Sequence, residues 1–276
     1  MENKIIVNGS ELFYVDNPGS KGTIIGVHGL TGNHKQLHYY AELVKGEYRF
    51  ISVDLKGRGK SAISPENTGI EQHTNDILAL LEALNIENPI LMGYSMGAFI
   101  MSNVANKRKD VRGVILLDGA VRATEHQRAL IEPSLGRLSK HFDSPEAYIE
   151  EIKEIYGRIG VEWTDHLESI GHYEIHEVDG HWKAISNEQK IRQDLDSFYD
   201  YDPKVVFEQV DCPVLLVHST GGIGSNAALF LAEHYSDTLV YAKMIEKITS
   251  PSNHYTLVFA DRPEVNSAIQ QFLKKI

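Results

Sequence analysis

The chain has 276 residues, 42% of them hydrophobic and 24% charged, a balance that can bury a large core and excludes extended disorder. Its formal charge of −11 repels nucleic-acid backbones and anionic membrane surfaces unless a basic patch intervenes. The scattered cations from Lys45 to Lys60 and the short run Lys107-Arg108-Lys109 read as solvated positions, so neither nucleic acid nor membrane is an expected partner.

From the N-terminus, Met1-Glu2-Asn3-Lys4 starts no charged-then-apolar leader, and no later apolar run approaches the roughly 20 residues that span a bilayer. A soluble, cytoplasmic protein is expected. Ile5 to Val7 and Glu11 to Val15 flank Asn8-Gly9, a turn pair suited to a β-hairpin. Nearly continuous apolar runs follow at Thr23 to Val27, Arg49 to Val53, Pro89 to Met92, Val114 to Leu117 and Val214 to His218. Such runs suit strands covered on both faces, and their alternation with helix-period segments marks parallel βαβ units. One such segment carries Ile77, Leu78, Leu81 and Leu84 on a single helix face.

Residues 121–207 break this rhythm and carry both tryptophans, Trp163 and Trp182. They read as a lid inserted into a core formed by residues 1–120 and 208–276. Within the lid, Ala147 to Ile159 has helical character, and Tyr173, Ile175 and Trp182 surround an Asp179-Gly180 hairpin turn. Pro203 and Val205-Val206-Phe207 lead back to the sheet. The single cysteine, Cys212, has no internal disulfide partner and sits among Val210, Pro213 and Val214 as a structural residue. Beyond it, Val240 to Ile245 reads as a strand, and Val265, Ile269, Phe272 and Leu273 behind Pro263 read as a terminal helix.

Gly93-Tyr94-Ser95-Met96-Gly97 lies between the strand ending at Met92 and the apolar stretch Ala98-Phe99-Ile100-Met101. A serine on a strand-to-helix turn needs unusual backbone angles, and flanking glycines remove the side chains that would collide. The helix starting there aims backbone N–H groups at the reacting centre. Ser95 is therefore the candidate nucleophile.

Four motifs in order, Val27-His28-Gly29-Leu30, Asp54-Leu55-Lys56-Gly57-Arg58-Gly59-Lys60-Ser61, the Ser95 turn and Ser252-Asn253-His254, make the chain resemble the α/β-hydrolase superfamily over almost its whole length. The resemblance implies an eight-stranded, mostly parallel sheet flanked by helices, with a helical lid after the sixth strand. It implies His254 as general base and the backbone N–H groups of Leu30 and Met96 as the oxyanion hole, while His28 braces its loop. At position 98 the chain has alanine where many relatives have a further glycine.

The acid departs from the common pattern. Its usual place follows the strand Val214 to His218, where Ser219-Thr220-Gly221-Gly222-Ile223-Gly224 offers no carboxylate. Some relatives place it after the sixth strand, where this chain has Asp118; Asp54 is a weaker rival that suits bracing the Gly57-Arg58-Gly59 turn. The expected activity is serine hydrolysis of a small to medium, partly apolar carboxylic ester or lactone, with no cofactor and no metal. Tyr94, Phe142, Trp163 and Trp182 are the expected pocket aromatics. A cofactor-free ring-cleaving dioxygenase, a C–C or amide hydrolase, and a binding protein on the same fold stay open. A metal enzyme built on His166, His172, His176 and His181 is disfavoured, because their spacing forms no compact ligand pattern.

Overall fold

A computed structural model describes the whole chain, Met1–Ile276. The strands β1 (Glu2–Val7) and β2 (Ser10–Asn17) form an antiparallel hairpin. Both of its turn residues take positive φ, 48° at Asn8 and 76° at Gly9, the twist that a two-residue turn between right-twisted strands needs. The strands β3 (Thr23–Val27), β4 (Arg49–Asp54), β5 (Ile90–Tyr94) and β6 (Gly113–Leu117) follow, almost wholly buried. Between them lie the helices α1 (His38–Leu43), α2 (Ile70–Ala83) and α3 (Met96–Lys107).

After β6 the chain leaves the sheet for nearly a hundred residues. This segment holds α4 (Glu125–Leu135), α5 (Pro145–Arg158), α6 (Asp165–Tyr173), the hairpin β7 (Ile175–Val178) and β8 (His181–Ala184), α7 (Glu188–Asp196) and α8 (Pro203–Phe207). Its boundaries are written locally. Ser144 caps α5 through the Ala147 N–H with Pro145 in the first turn, and Asp179-Gly180 turns the hairpin with φ of 51° and 79°. The run Val205-Val206-Phe207 returns to the sheet as the helical turn α8, with Val206 and Phe207 buried.

The chain then forms β9 (Val214–Gly221), α9 (Ser236–Tyr241), β10 (Ile245–Asn253), α10 (Thr256–Phe259) and α11 (Pro263–Lys275). The main sheet has eight strands in the order β1-β2-β4-β3-β5-β6-β9-β10, parallel from β4 to β10. Apolar clusters cover both faces, so folding buries the sheet between two helical layers.

One strand differs from its sequence reading. Val240 belongs to α9 and is 73% exposed, and the strand begins only at Ile245. β10 is the outer strand of the sheet and most of it is only partly covered, so it lacks the continuous apolar run that marks its neighbours.

Candidate active site

Because β3, β5, β6, β9 and β10 run parallel, the loops at their C-terminal ends meet on one edge of the sheet, where open α/β sheets place their ligands. β5 ends at Tyr94 and α3 starts at Met96, so Ser95 alone makes the turn, with φ 52° and ψ −119°. For a residue with a side chain this strained backbone costs on the order of 1–3 kcal/mol. The surroundings hold it in place: Ser95 N–H donates to Leu117 O at 3.0 Å, tying the elbow to β6. A Cβ on Gly93 would lie 2.1 Å from Gly97 O, and one on Gly97 would lie 2.2 Å from Val27 O, so both positions require glycine. Ala98 fits because Gly119 opposite is bare; a Cβ there would come within 2.9 Å of the alanine methyl.

Ser95 Oγ lies 3.0 Å from His254 Nε2, and His254 Nδ1 lies 2.7 Å from Asp118 Oδ2. All three side chains are buried. Asp118 follows β6, and its second oxygen accepts from Ser219 N–H and from Tyr235 OH, each at 2.9 Å. The carboxylate therefore has three donors and one orientation. The imidazole is equally confined: Tyr94 stacks on it at 4.8 Å and donates its hydroxyl to His254 O at 2.9 Å, while Phe230 and Tyr255 stand edge-on at 5.5 and 5.4 Å. Burial raises the Tyr94 phenol well above its ordinary value, which keeps it a neutral donor.

On the other side of Ser95, the loop after β3 is pinned around Leu30. Gly29 N–H donates to Gln36 Oε1 at 2.8 Å, and Leu30 O accepts from Arg58 Nε and Nη2 at 3.1 and 2.7 Å. The Leu30 N–H donates to nothing in the protein. Met96 is the first residue of α3, where a helix has no partner for its N–H. His28 Nε2 accepts from Leu55 N–H at 3.1 Å while Nδ1 donates to Gly29 O at 2.7 Å. Burial lowers its pKa to about 3, so it stays neutral in that role.

Two cations of the Lys45–Lys60 stretch are not the solvated residues their sequence suggested. Arg58 pairs with Asp194 of α7 at 2.6 Å and Lys56 with Asp76 of α2 at 2.9 Å, all four side chains buried. Nothing local signals these pairs, since Asp194 lies 136 residues from Arg58. Asp54 sits apart from His254. It accepts from the N–H and ring of His34, from Lys60 N–H and from Tyr173 OH at 2.6 to 3.0 Å. Burial alone would raise its carboxyl, and the His34 and Tyr173 hydrogen bonds overcome that and hold it low.

A family model for the alpha/beta hydrolase fold matches residues 22–150. The crystal structure of E-2-(acetamidomethylene)succinate hydrolase superposes with a TM-score of 0.83 over 99% of both chains at 21% identity. The chain has the alpha/beta hydrolase fold. Among curated relatives, a 3-hydroxybutyrate-oligomer hydrolase of Cupriavidus necator is 24% identical over 93% of this chain and 90% of its own. A 3-oxoadipate enol-lactonase of Acinetobacter baylyi is 31% identical over 30% of this chain and 31% of its own.

Within this fold the cavity beside Ser95 has about 50 Å³ of free space. Of the four aromatics read as pocket lining, Tyr94 borders it and the other three do not. Phe142 and Trp182 exchange two backbone hydrogen bonds of 2.8 Å and belong to a separate cluster with Tyr148, Ile149, Ile152 and Ile175. Trp163 packs against Tyr156 at 6.3 Å. The walls are instead Ile131, Leu135, Phe198, Leu229 and Tyr255. Ile131 and Leu135 are one helical turn apart on α4, a spacing readable in sequence; Phe198 and Leu229 carry no such signal. A larger surface groove of about 650 Å³ along Thr68, Asn103 and Val205 contains none of the Ser95 cluster. Of the histidines in residues 121–207, His166 stacks on His38, and no three His, Cys, Asp or Glu side chains converge as metal ligands.

Proposed function

We propose that the chain is a serine hydrolase that cleaves a small, partly apolar carboxylic ester or lactone through an acyl-enzyme on Ser95. The observation that carries this reading is the buried hydrogen-bonded line from Ser95 Oγ through His254 to Asp118. In the proposed mechanism His254 Nε2 takes the proton as Ser95 Oγ attacks the carbonyl carbon. The tetrahedral oxyanion accepts from the N–H groups of Leu30 and Met96, each such donor being worth about 3 kcal/mol of barrier. As the carbon–oxygen bond to the leaving group breaks, His254 returns the proton to the departing alkoxide. It then deprotonates a water that attacks the acyl-enzyme, and returns that proton to Ser95 Oγ as the acid leaves. Asp118 stays ionised, holding the tautomer and stabilising the imidazolium.

Relatives named as an oligomer hydrolase and an enol-lactonase support hydrolysis as the reaction class. The narrow cavity favours short acyl groups. Residues 121–207 serve as the lid in this proposal, because Ile131, Leu135 and Phe198 cover the serine. No helix is long and apolar enough to cross a membrane, and the proposed setting is the cytoplasm, with a small molecule as the partner. Labelling with a fluorophosphonate, followed by a panel of short esters and lactones with Ser95→Ala as the blank, tests the reading. Label on Ser95 and turnover lost in the blank are expected; turnover that survives Ser95→Ala overturns it.

A further inference from the structure

Arg137 lies in the short 3₁₀ turn after α4, next to the segment that walls the cavity. A guanidinium carries five N–H donors and is always charged, so a poorly paired one inside a protein is costly. Arg49, Arg58, Arg122 and Arg128 each meet that demand with a carboxylate within 3 Å. Arg137 forms no ion pair. It is half-buried, and its contacts are Ser134 O at 3.4 Å and Thr31 Oγ1 at 3.5 Å, both at the outer limit of a hydrogen bond. Ser134 and Thr31 both border the cavity that contains Ser95 and His254.

The groups facing Arg137 favour its charge only from beyond hydrogen-bond distance. The phenols of Tyr148, Tyr156 and Tyr255 and the carboxyl of Glu174 lie within its electrostatic reach. Glu174 takes the Tyr148 hydroxyl at 2.6 Å, and burial pushes its carboxyl up. The Tyr156 and Tyr255 hydroxyls have no partner in the protein, and Tyr255 borders the same cavity. The Trp163 indole N–H, behind the Tyr156 ring at 6.3 Å, is buried with no acceptor. No carboxylate stands within ion-pair or hydrogen-bond distance of Arg137.

We infer that the substrate acted on at Ser95 carries a carboxylate, which Arg137 binds at the lid side of the cavity. The inference deepens the hydrolase reading and rests on it. Arg137 here sets specificity: it selects which acyl or alkoxy group is held over the serine and takes no part in proton transfer.

The test pairs 4-nitrophenyl monoesters of succinate and glutarate with the neutral butyrate and pentanoate esters of matching length, assayed on wild type, Arg137→Met and Arg137→Lys, with Ser95→Ala as blank. Wild type is expected to favour the anionic member of a pair by roughly tenfold to hundredfold in kcat/KM, the usual range for a charge-assisted contact. Arg137→Met should erase that ratio through KM while leaving the neutral esters within about twofold, and Arg137→Lys should keep part of it. Equal loss on neutral and anionic esters, or an unchanged ratio, overturns the proposal. If Arg137→Met does not fold, glutarate monoamide and the neutral pentanamide are compared as inhibitors of wild type and Arg137→Lys: weaker inhibition of wild type by glutarate monoamide than by pentanamide overturns it. Fluorophosphonate labelling separates the two layers. A labelled Ser95 with no anion preference sinks the Arg137 proposal alone; an unlabelled Ser95 sinks the hydrolase reading.

Discussion

The edge of the sheet and the segment between β6 and β9 meet at Ser95 but are held together by different means. At the edge, Ser95, His254 and Asp118 sit on short loops fixed at named points: the elbow to Leu117, the carboxylate to Ser219 and Tyr235, the imidazole between Tyr94, Phe230 and Tyr255. The inserted segment has its own small apolar cluster around Phe142, Tyr148 and Ile175. One of its links to the core is charged, the buried pair of Arg58 with Asp194. Rigid loops suit a proton relay, which fails when a distance changes by an ångström. In the proposed mechanism, a separately packed cover can vary what enters without disturbing that relay.

If this division is right, changes at the edge should abolish turnover, and changes in the cover should alter affinity or stability. The largest expected effect is that of Ser95→Ala, which removes the attacking oxygen; a fall in kcat of roughly 10⁶, down to the blank rate, is expected in an ester assay. Next, Asp118→Asn keeps the shape and loses the charge and tautomer control, so kcat should fall by roughly 10³ to 10⁴ with KM little changed. Near-native kcat in that variant would remove Asp118 from the relay.

Arg58→Met probes the joint between the regions. It leaves Asp194 with Thr68 and His73 as its partners and frees the Leu30 carbonyl, and should lower stability by about 3–5 kcal/mol in urea unfolding while also reducing kcat through the loosened loop. Loss of stability with unchanged kcat would show that the Leu30 loop does not depend on it. A smaller effect concerns acid. His28 is neutral when folded, with a pKa of about 3 against 6.5 when exposed, so between those values the unfolded chain binds the extra proton. Stability is then full above about pH 6.5 and falls with decreasing pH by at most about 1.4 kcal/mol per unit. Unfolding curves measured from pH 7 to pH 4 check this, and His28→Asn should flatten the slope. The smallest effect on catalysis is expected from Trp182→Ala. It should cost about 3 kcal/mol of stability by opening a cavity in the cover, yet leave kcat/KM within about threefold.

The same contrast explains what could be read from the sequence. β3, β5 and β6 are buried on both faces and therefore appear as unbroken apolar runs, and the Ser95 elbow is legible because its glycines answer a local steric demand. The outer strand β10 has only partial cover, so its start was displaced toward Val240. The cover aromatics misled for a different reason. Hydrophobicity reports that Phe142, Trp163 and Trp182 are sheltered but not which neighbour shelters them, and here they shelter one another or the core. Arg58 and Lys56 look like surface cations because their partners come from distant helices. Arg137 has no sequence signature at all; only the folded chain shows it without an ion pair beside Ser134 and Thr31.

The central claim is that Ser95 becomes covalently acylated with His254 and Asp118 acting as one unit. Rapid mixing with 4-nitrophenyl butyrate, followed by intact mass and peptide mapping of the quenched protein, tests it directly. A burst approaching one equivalent of nitrophenol, with the butyryl mass on the peptide containing Ser95, is the predicted result. Sustained turnover with no adduct on that peptide, or with the adduct on another residue, would contradict it.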